Sequence, residues 1–249
     1  MGDFMKKGLY FSFNLKNASV IVFSAILIAS VLTGIHYSTL SVATAKIKPD
    51  EITVIIDAGH GGADGGAQSE TGILEKDINL SIANKLGYIL SALGYKVIYT
   101  REDDEIPYGS NCITIRQKKV WDIQNRMKIM NEHPNSIFIS IHQNFFSQEK
   151  YKGAQVFYSP NYAESRLIAE CIQNTIVSNL QRDNYRQISQ SVKDIYLLQN
   201  ASVPAVMVEC GFLSNNEEAR LLADDAYQSE IALSVAEGII RYLNDKTYV

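Results

Sequence analysis

The sequence predicts a single α/β domain in which about six strands alternate with helices, and three observations lead there. One is a β-branched apolar run, Thr53-Val-Ile-Ile-Asp57, that breaks into Ala-Gly59-His60-Gly-Gly-Ala-Asp64-Gly-Gly66. A near-continuous apolar run of strand length fits a strand covered on both faces. Next comes a helical stripe of Ile78, Ile82, Leu86, Ile89 and Leu93, stopped by Gly94, and then Lys96-Val-Ile-Tyr-Thr100. Strand, helix and strand with a tight return imply a parallel pair and a right-handed crossover. The last is size: 249 residues, 46% hydrophobic and 20% charged, suffice for one full core.

The other elements follow in order. Lys6, Lys7 and Lys16 precede an uncharged run from Asn17 to Ile35. Its length and flanking charges predict an N-terminal membrane anchor, or a secretory signal cleaved at Ala43-Thr44-Ala45, with the remainder outside the cytosol. Residues 1–46 are thus a targeting segment and linker, and 47–249 the functional domain. Arg101 to Cys112 reads as a surface loop bordering a cleft. Residues 116–131 read as a helix with Val120, Ile123, Met127 and Met130 on its apolar face, and His133 as solvated. Ser136–Ile141 is a third strand, ending at His142. Gly153–Tyr158 is a fourth, 162–180 a helix, 181–194 a loop and Ile195–Leu198 a short strand. Ala205–Val208 is the last strand, running into Glu209, and helices over 217–222 and 227–243 close the chain.

A net charge of −4 leaves no electrostatic footprint for nucleic acid. Cys112, Cys171 and Cys210 have neither zinc-ribbon nor Cys-x-x-Cys spacing, so they read as reduced, packed residues.

Function enters through position. Three apolar strands stop at residues suited to catalysis: the first at His60, the third at His142, the last at Glu209. Ligands of open α/β sheets collect outside the carboxyl ends of the strands, so that architecture brings all three to one edge. Glu75, opening the helix after the first strand, faces the same edge. Two histidines and a carboxylate are a common ligand set for catalytic zinc, and a second carboxylate supplies a base. The residues therefore point to zinc held by His60, Glu75 and His142, with Glu209 handling protons. Blander roles exist for each: Glu75 as a helix N-terminal charge, His142 as a satisfied strand-end group, Glu209 as a turn cap. The glycine loop is costly to order. A metal would hold it, and a mobile loop with a solvated histidine is the alternative.

Val-Ile-Ile-Asp57-Ala-Gly-His60-Gly-Gly, Leu74-Glu75-Lys-Asp77, Ser140-Ile-His142-Gln-Asn144 and Val208-Glu209-Cys-Gly-Phe-Leu-Ser-Asn215 resemble the zinc-dependent N-acetylmuramoyl-L-alanine amidases of peptidoglycan. The resemblance covers roughly residues 52–243. It implies a twisted, mostly parallel sheet with helices on both faces, one zinc ion on His60, Glu75 and His142, and Glu209 as the catalytic glutamate. Asn144 and Arg101 become candidate substrate contacts. Thr100-Arg101-Glu-Asp-Asp104, Ile115-Arg116-Gln-Lys-Lys119 and Asp122-Ile-Gln-Asn-Arg126 are similar to the germination-specific, spore-cortex branch. There the amidase strips peptide from muramic acid, the first step towards muramic-δ-lactam. That branch implies peptidoglycan as substrate, an address between the forespore membranes and the prospect of an accessory protein. Two rival readings remain: a cysteine hydrolase using Cys210 beside His142, and a non-enzymatic wall- or phosphate-binding module built on the glycine loop.

Overall fold

The computed structural model describes residues 52–245. The predicted N-terminal anchor or signal lies outside them. Among the described residues no helix is long and apolar enough to cross a membrane. The elements are β1 (Thr53–Ala58), α1 (Glu75–Ala92), β2 (Lys96–Tyr99), α2 (Ile115–Glu132), β3 (Ser136–Asn144), β4 (Gln155–Tyr158), α3 (Ala163–Asn179), β5 (Ser189–Gln190), α4 (Tyr196–Gln199), β6 (Ala205–Phe212), α5 (Asn216–Ala223) and α6 (Asp225–Asp245).

The strands form one sheet in the order β2-β1-β3-β6-β4-β5. All pairs are parallel except β4 with β6. The central strands β1, β3 and β6 are buried on both faces, which explains their unbroken apolar runs. On one face Val54, Ile56, Ile139, Ile141, Val206 and Val208 pack under α1, α3 and α6. On the other, Ile55, Phe138 and Met207 pack against α2 and α4 through Met130, Leu197 and Leu198. Helix α1 shows how the sequence sets this up. Ile78, Ile82, Leu86 and Leu90 lie on one stripe and are essentially unexposed, each stabilising the fold by about 1.5–3 kcal/mol. The helix stops where Gly94 takes φ 88° and Tyr95 N–H donates back to the Leu90 carbonyl. Thr114 and Gln117 cap α2 reciprocally.

Several expectations need correction. Ile195–Leu198 is not a strand: residues 196–199 form the single turn α4, which buries Leu197 and Leu198. The fifth strand, β5, is instead Ser189–Gln190, inside the expected loop. Strands β3 and β6 run on through His142 and Glu209 rather than ending at them. Val120 and Leu93 are exposed, because α2 buries only Arg126 and Met130, and Leu93 stands beyond the last buried turn of α1. His133 stands partly exposed at the C-terminal cap of α2, away from the metal-ligand cluster.

Candidate active site

The parallel pairing of β1, β3 and β6 carries their chemistry to one rim of the sheet. His60 follows β1 by two residues and sits in the left-handed region at φ 59°, the one non-glycine among the described residues to do so. Such backbone is strained for a residue with a side chain and persists only where its surroundings impose it. Here they do. Arg126 donates to the carbonyls of Ala58 (2.8 Å) and His60 (2.6 Å). Arg101 donates to those of Ala58 (2.9 Å) and Gly59 (3.2 Å). Asp104 accepts from Gly62 N–H at 2.8 Å, and Tyr108 donates to the Gly61 carbonyl at 3.2 Å. The glycine loop is thus ordered by the protein's own side chains, and His60 is aimed inward.

Glycine is required in this loop by close approach. A Cβ on Gly59 would lie 2.1 Å from His142 Nε2, and one on Gly66 would lie 2.5 Å from Glu75 Oε2. His60 Nε2 stands 3.2 Å from Glu75 Oε2, and His142 Nδ1 stands 2.9 Å from Glu75 Oε1. One donor atom from each of the three residues lies within 4.8 Å of the others. Three ligands about 2.0–2.1 Å from a tetrahedral ion stand about 3.3 Å apart, so the donor set fits one zinc-sized ion. The carboxylate is prepared for that role. Glu75 is 3% exposed and accepts from Ala67 N–H, Gln143 N–H and Asn79 Nδ2. Burial pushes its carboxyl up, but the His142 and His60 rings outweigh that and hold it far below the usual range.

Two further residues complete the cluster, and the sequence had not marked either. Asp64 Oδ2 lies 2.9 Å from His60 Nδ1, leaving Nε2 to face Glu75. A carboxylate behind a ligating imidazole fixes its tautomer and orientation. Burial lowers the His60 pKa, but Asp64 and Glu75 more than offset this and raise it to about 9. Beneath the loop, Asp57 is fully buried and paired with Arg126, which also meets Asp122 at 2.7 Å. Burial raises the Asp57 carboxyl, and Arg126 with Ser140 and Thr100 brings it below the ordinary value.

Glu209 is the register partner of His142 across β6 and β3. Its Oε2 is buried with no hydrogen-bond partner. Burial, reinforced by the Glu75 charge, raises its pKa to about 7 against the pull of both histidines and Arg186. A carboxyl group poised there can take and return a proton. A cavity of about 260 Å³ opens on the same face, lined by His60, His142, Lys119, Tyr196 and Met207 among others.

The candidate substrate contacts part company. Asn144 is half-buried at the end of β3, on the face of His142. Arg101 is 7% exposed and donates to four main-chain carbonyls, of Ala58, Gly59, Lys76 and Asp103. Its guanidinium is occupied in holding the loop. Cys210 is fully buried in the core on the opposite face from Glu209, and burial pushes its thiol well above the usual value. That removes the cysteine-hydrolase reading, since the thiolate is the nucleophile.

The sequence profile of the N-acetylmuramoyl-L-alanine amidases matches residues 54–241. The germination-specific N-acetylmuramoyl-L-alanine amidase of Bacillus subtilis is 38% identical over 195 residues, which is 78% of this chain and 80% of that protein. The CwlD amidase from Clostridioides difficile, solved in complex with the GerS lipoprotein, superposes with a TM-score of 0.74 at 43% identity, covering 77% of this chain and 98% of that one. The amidase AmiC2 of Nostoc punctiforme superposes with a TM-score of 0.66 at 31% identity, covering 78% and 97%. With a match of that extent laid over a histidine–glutamate–histidine cluster at the sheet rim, the chain belongs to the N-acetylmuramoyl-L-alanine amidase family, enzymes acting on peptidoglycan.

Proposed function

We propose that this amidase uses one zinc ion per chain, held by His60, Glu75 and His142, to cut the amide between the lactyl group of N-acetylmuramic acid and L-alanine. The observation that carries this is the pairing of the three-residue donor cluster with Glu209, whose buried oxygen has no other partner. Zinc bound there supplies Lewis acidity, which polarises a carbonyl and acidifies water. Glu209 takes a proton from the attacking water and returns it to the departing alanine nitrogen. Asp64 holds the His60 ring in one tautomer, and the fixed loop keeps the ligands in place without rearrangement during turnover.

The role we assign is spore-cortex maturation, where peptide removal precedes muramic-δ-lactam. Support comes from the likeness to the germination-specific amidase and to CwlD. Because that CwlD structure contains a lipoprotein, an accessory protein that promotes activity is part of the proposal. So is a location outside the cytoplasmic membrane, between the forespore membranes, reached through the N-terminal segment. Mass spectrometry of a peptidoglycan digest, with and without chelator, tests the chemistry. Free peptides beginning with L-alanine, released only in the presence of metal, are expected. Release that persists after chelation, or cleavage of a different bond, overturns the assignment.

A further inference from the structure

Three strands carry a row of side chains along the rim. Glu209 on β6 pairs in register with His142 on one side and with Gln155 of β4 on the other. Paired residues on adjacent strands project from the same face about 5 Å apart. The row therefore runs imidazole, carboxylate, carboxamide, leading away from the metal cluster. Arg186 closes it. Its Nη2 donates to Gln155 Oε1, an oxygen identified by the Gln155 amide nitrogen donating to the Gln187 carbonyl at 2.8 Å. The guanidinium carbon lies 4.9 Å from the centroid of the Phe212 ring, a cation–π contact that helps hold the fork. Its Nε–H, by contrast, is buried with no hydrogen-bond partner. A buried donor left unsatisfied is costly and asks what it meets in the working enzyme.

The direction of the reaction suggests an answer. Glu209 returns its proton to the leaving nitrogen, so the peptide arm of the substrate departs from the Glu209 side of the cleft. An extended chain advances about 3.3–3.6 Å per residue, so Gln155 and Arg186 stand about one to two residues beyond the cut amide. Every peptide carries at least one carboxylate, at its end. A carboxylate drawn towards Glu209 and Glu75 would be repelled unless a cation met it, and the arginine fork matches that group. Lys152 is already held by Asp183 at 2.6 Å.

We propose that Arg186 is a substrate-binding residue that receives a carboxylate of the peptide arm within two residues of the cut bond. This rests on the amidase reading and extends it to which peptides are accepted. The test uses the zinc-loaded full chain and two synthetic N-acetylmuramoyl-L-alanyl peptides of equal length. In one, the residue after alanine bears a free carboxylate; in the other, that group is amidated. The wild-type enzyme is expected to favour the acid by about tenfold or more in kcat/KM, the range of a charge-assisted hydrogen bond. Arg186→Gln should bring that ratio near one by slowing the acid substrate alone, and Arg186→Lys should keep part of it. A wild-type ratio of one overturns the proposal without any variant. So does equal slowing of both substrates by Arg186→Gln; an accompanying upward shift of the acidic limb of the pH profile would then assign Arg186 to tuning Glu209. If the wild type cleaves neither peptide but still releases L-alanyl peptides from peptidoglycan, the Arg186 assignment alone fails; if it cleaves neither the peptides nor peptidoglycan, the amidase reading fails with it.

Discussion

Arg126 and His60 are joined through the main chain: Nη2 of the arginine donates to the histidine's carbonyl oxygen at 2.6 Å. The same guanidinium pairs with Asp57 and Asp122, so one buried cation ties α2, β1 and the strained loop together. Arg126→Lys cannot reproduce the fork, and zinc affinity by calorimetric titration should fall about tenfold or more. Arg126→Ala leaves Asp57 buried and unpaired, and denaturant unfolding should show a loss of about 3–5 kcal/mol. A lysine variant that binds zinc as tightly as wild type would show that the loop holds His60 unaided.

Metal binding and proton transfer should separate by mutation. Glu209→Gln keeps the shape of the side chain and should retain zinc, measured by elemental analysis, while kcat falls by about 10²–10⁴. His142→Ala should lose both zinc and turnover. Full activity in the glutamine variant would remove Glu209 from the mechanism.

Chelated protein should show an unusual pH dependence. The His60 pKa is about 9 in the fold against 6.5 for the free side chain. A folded value above the unfolded one contributes stability that is complete below 6.5 and is lost as pH rises through 9. Thermal melts of metal-free protein should therefore decline across that window, and Asp64→Asn should flatten the decline. Zinc must displace the same proton, so its affinity should climb as pH rises over the same range. A melting temperature independent of pH in the chelated protein contradicts both expectations.

Gly59→Ala is the most economical test of the crowded rim. Its Cβ would fall 2.1 Å from the His142 ring, so the ring must swing out of the cluster. Zinc binding should drop by two orders of magnitude or be lost, with the circular dichroism of the fold kept. Unchanged zinc affinity would mean that the loop yields instead.

The sequence is legible wherever an apolar run meets a catalytic side chain. Val54–Ile56, Ile137–Ile141 and Val206–Val208 read as buried strands, and parallel pairing then carries His60, His142 and Glu209 to a common rim. The edge was illegible for the opposite reason. Ser189–Gln190 is polar and two residues long, recruited by main-chain pairing with Phe157 and Tyr158. Ile195–Leu198 is too short to show a period, and its turn is decided by where Leu197 and Leu198 find apolar cover. Nothing local marks Asp64 as the partner of His60, or Arg126 as the cation that ties the loop down. Their roles depend on who comes near, and Asp57 and Arg126 are 69 residues apart. No local pattern records that.

The step from Glu209 to Phe212, where β6 gains a residue against β3, divides this rim into two regimes. Below it, the hydrogen-bonded ladder dictates the spacing of His142 and Glu209, and a slip of one place would turn either to the wrong side. Above it, Phe145 to Lys152 and the stretch from Asn184 to Ile188 lie outside the ladders. Evolution can thus remodel what the enzyme grips without disturbing how it breaks the bond, because the two properties are written in different parts of the backbone.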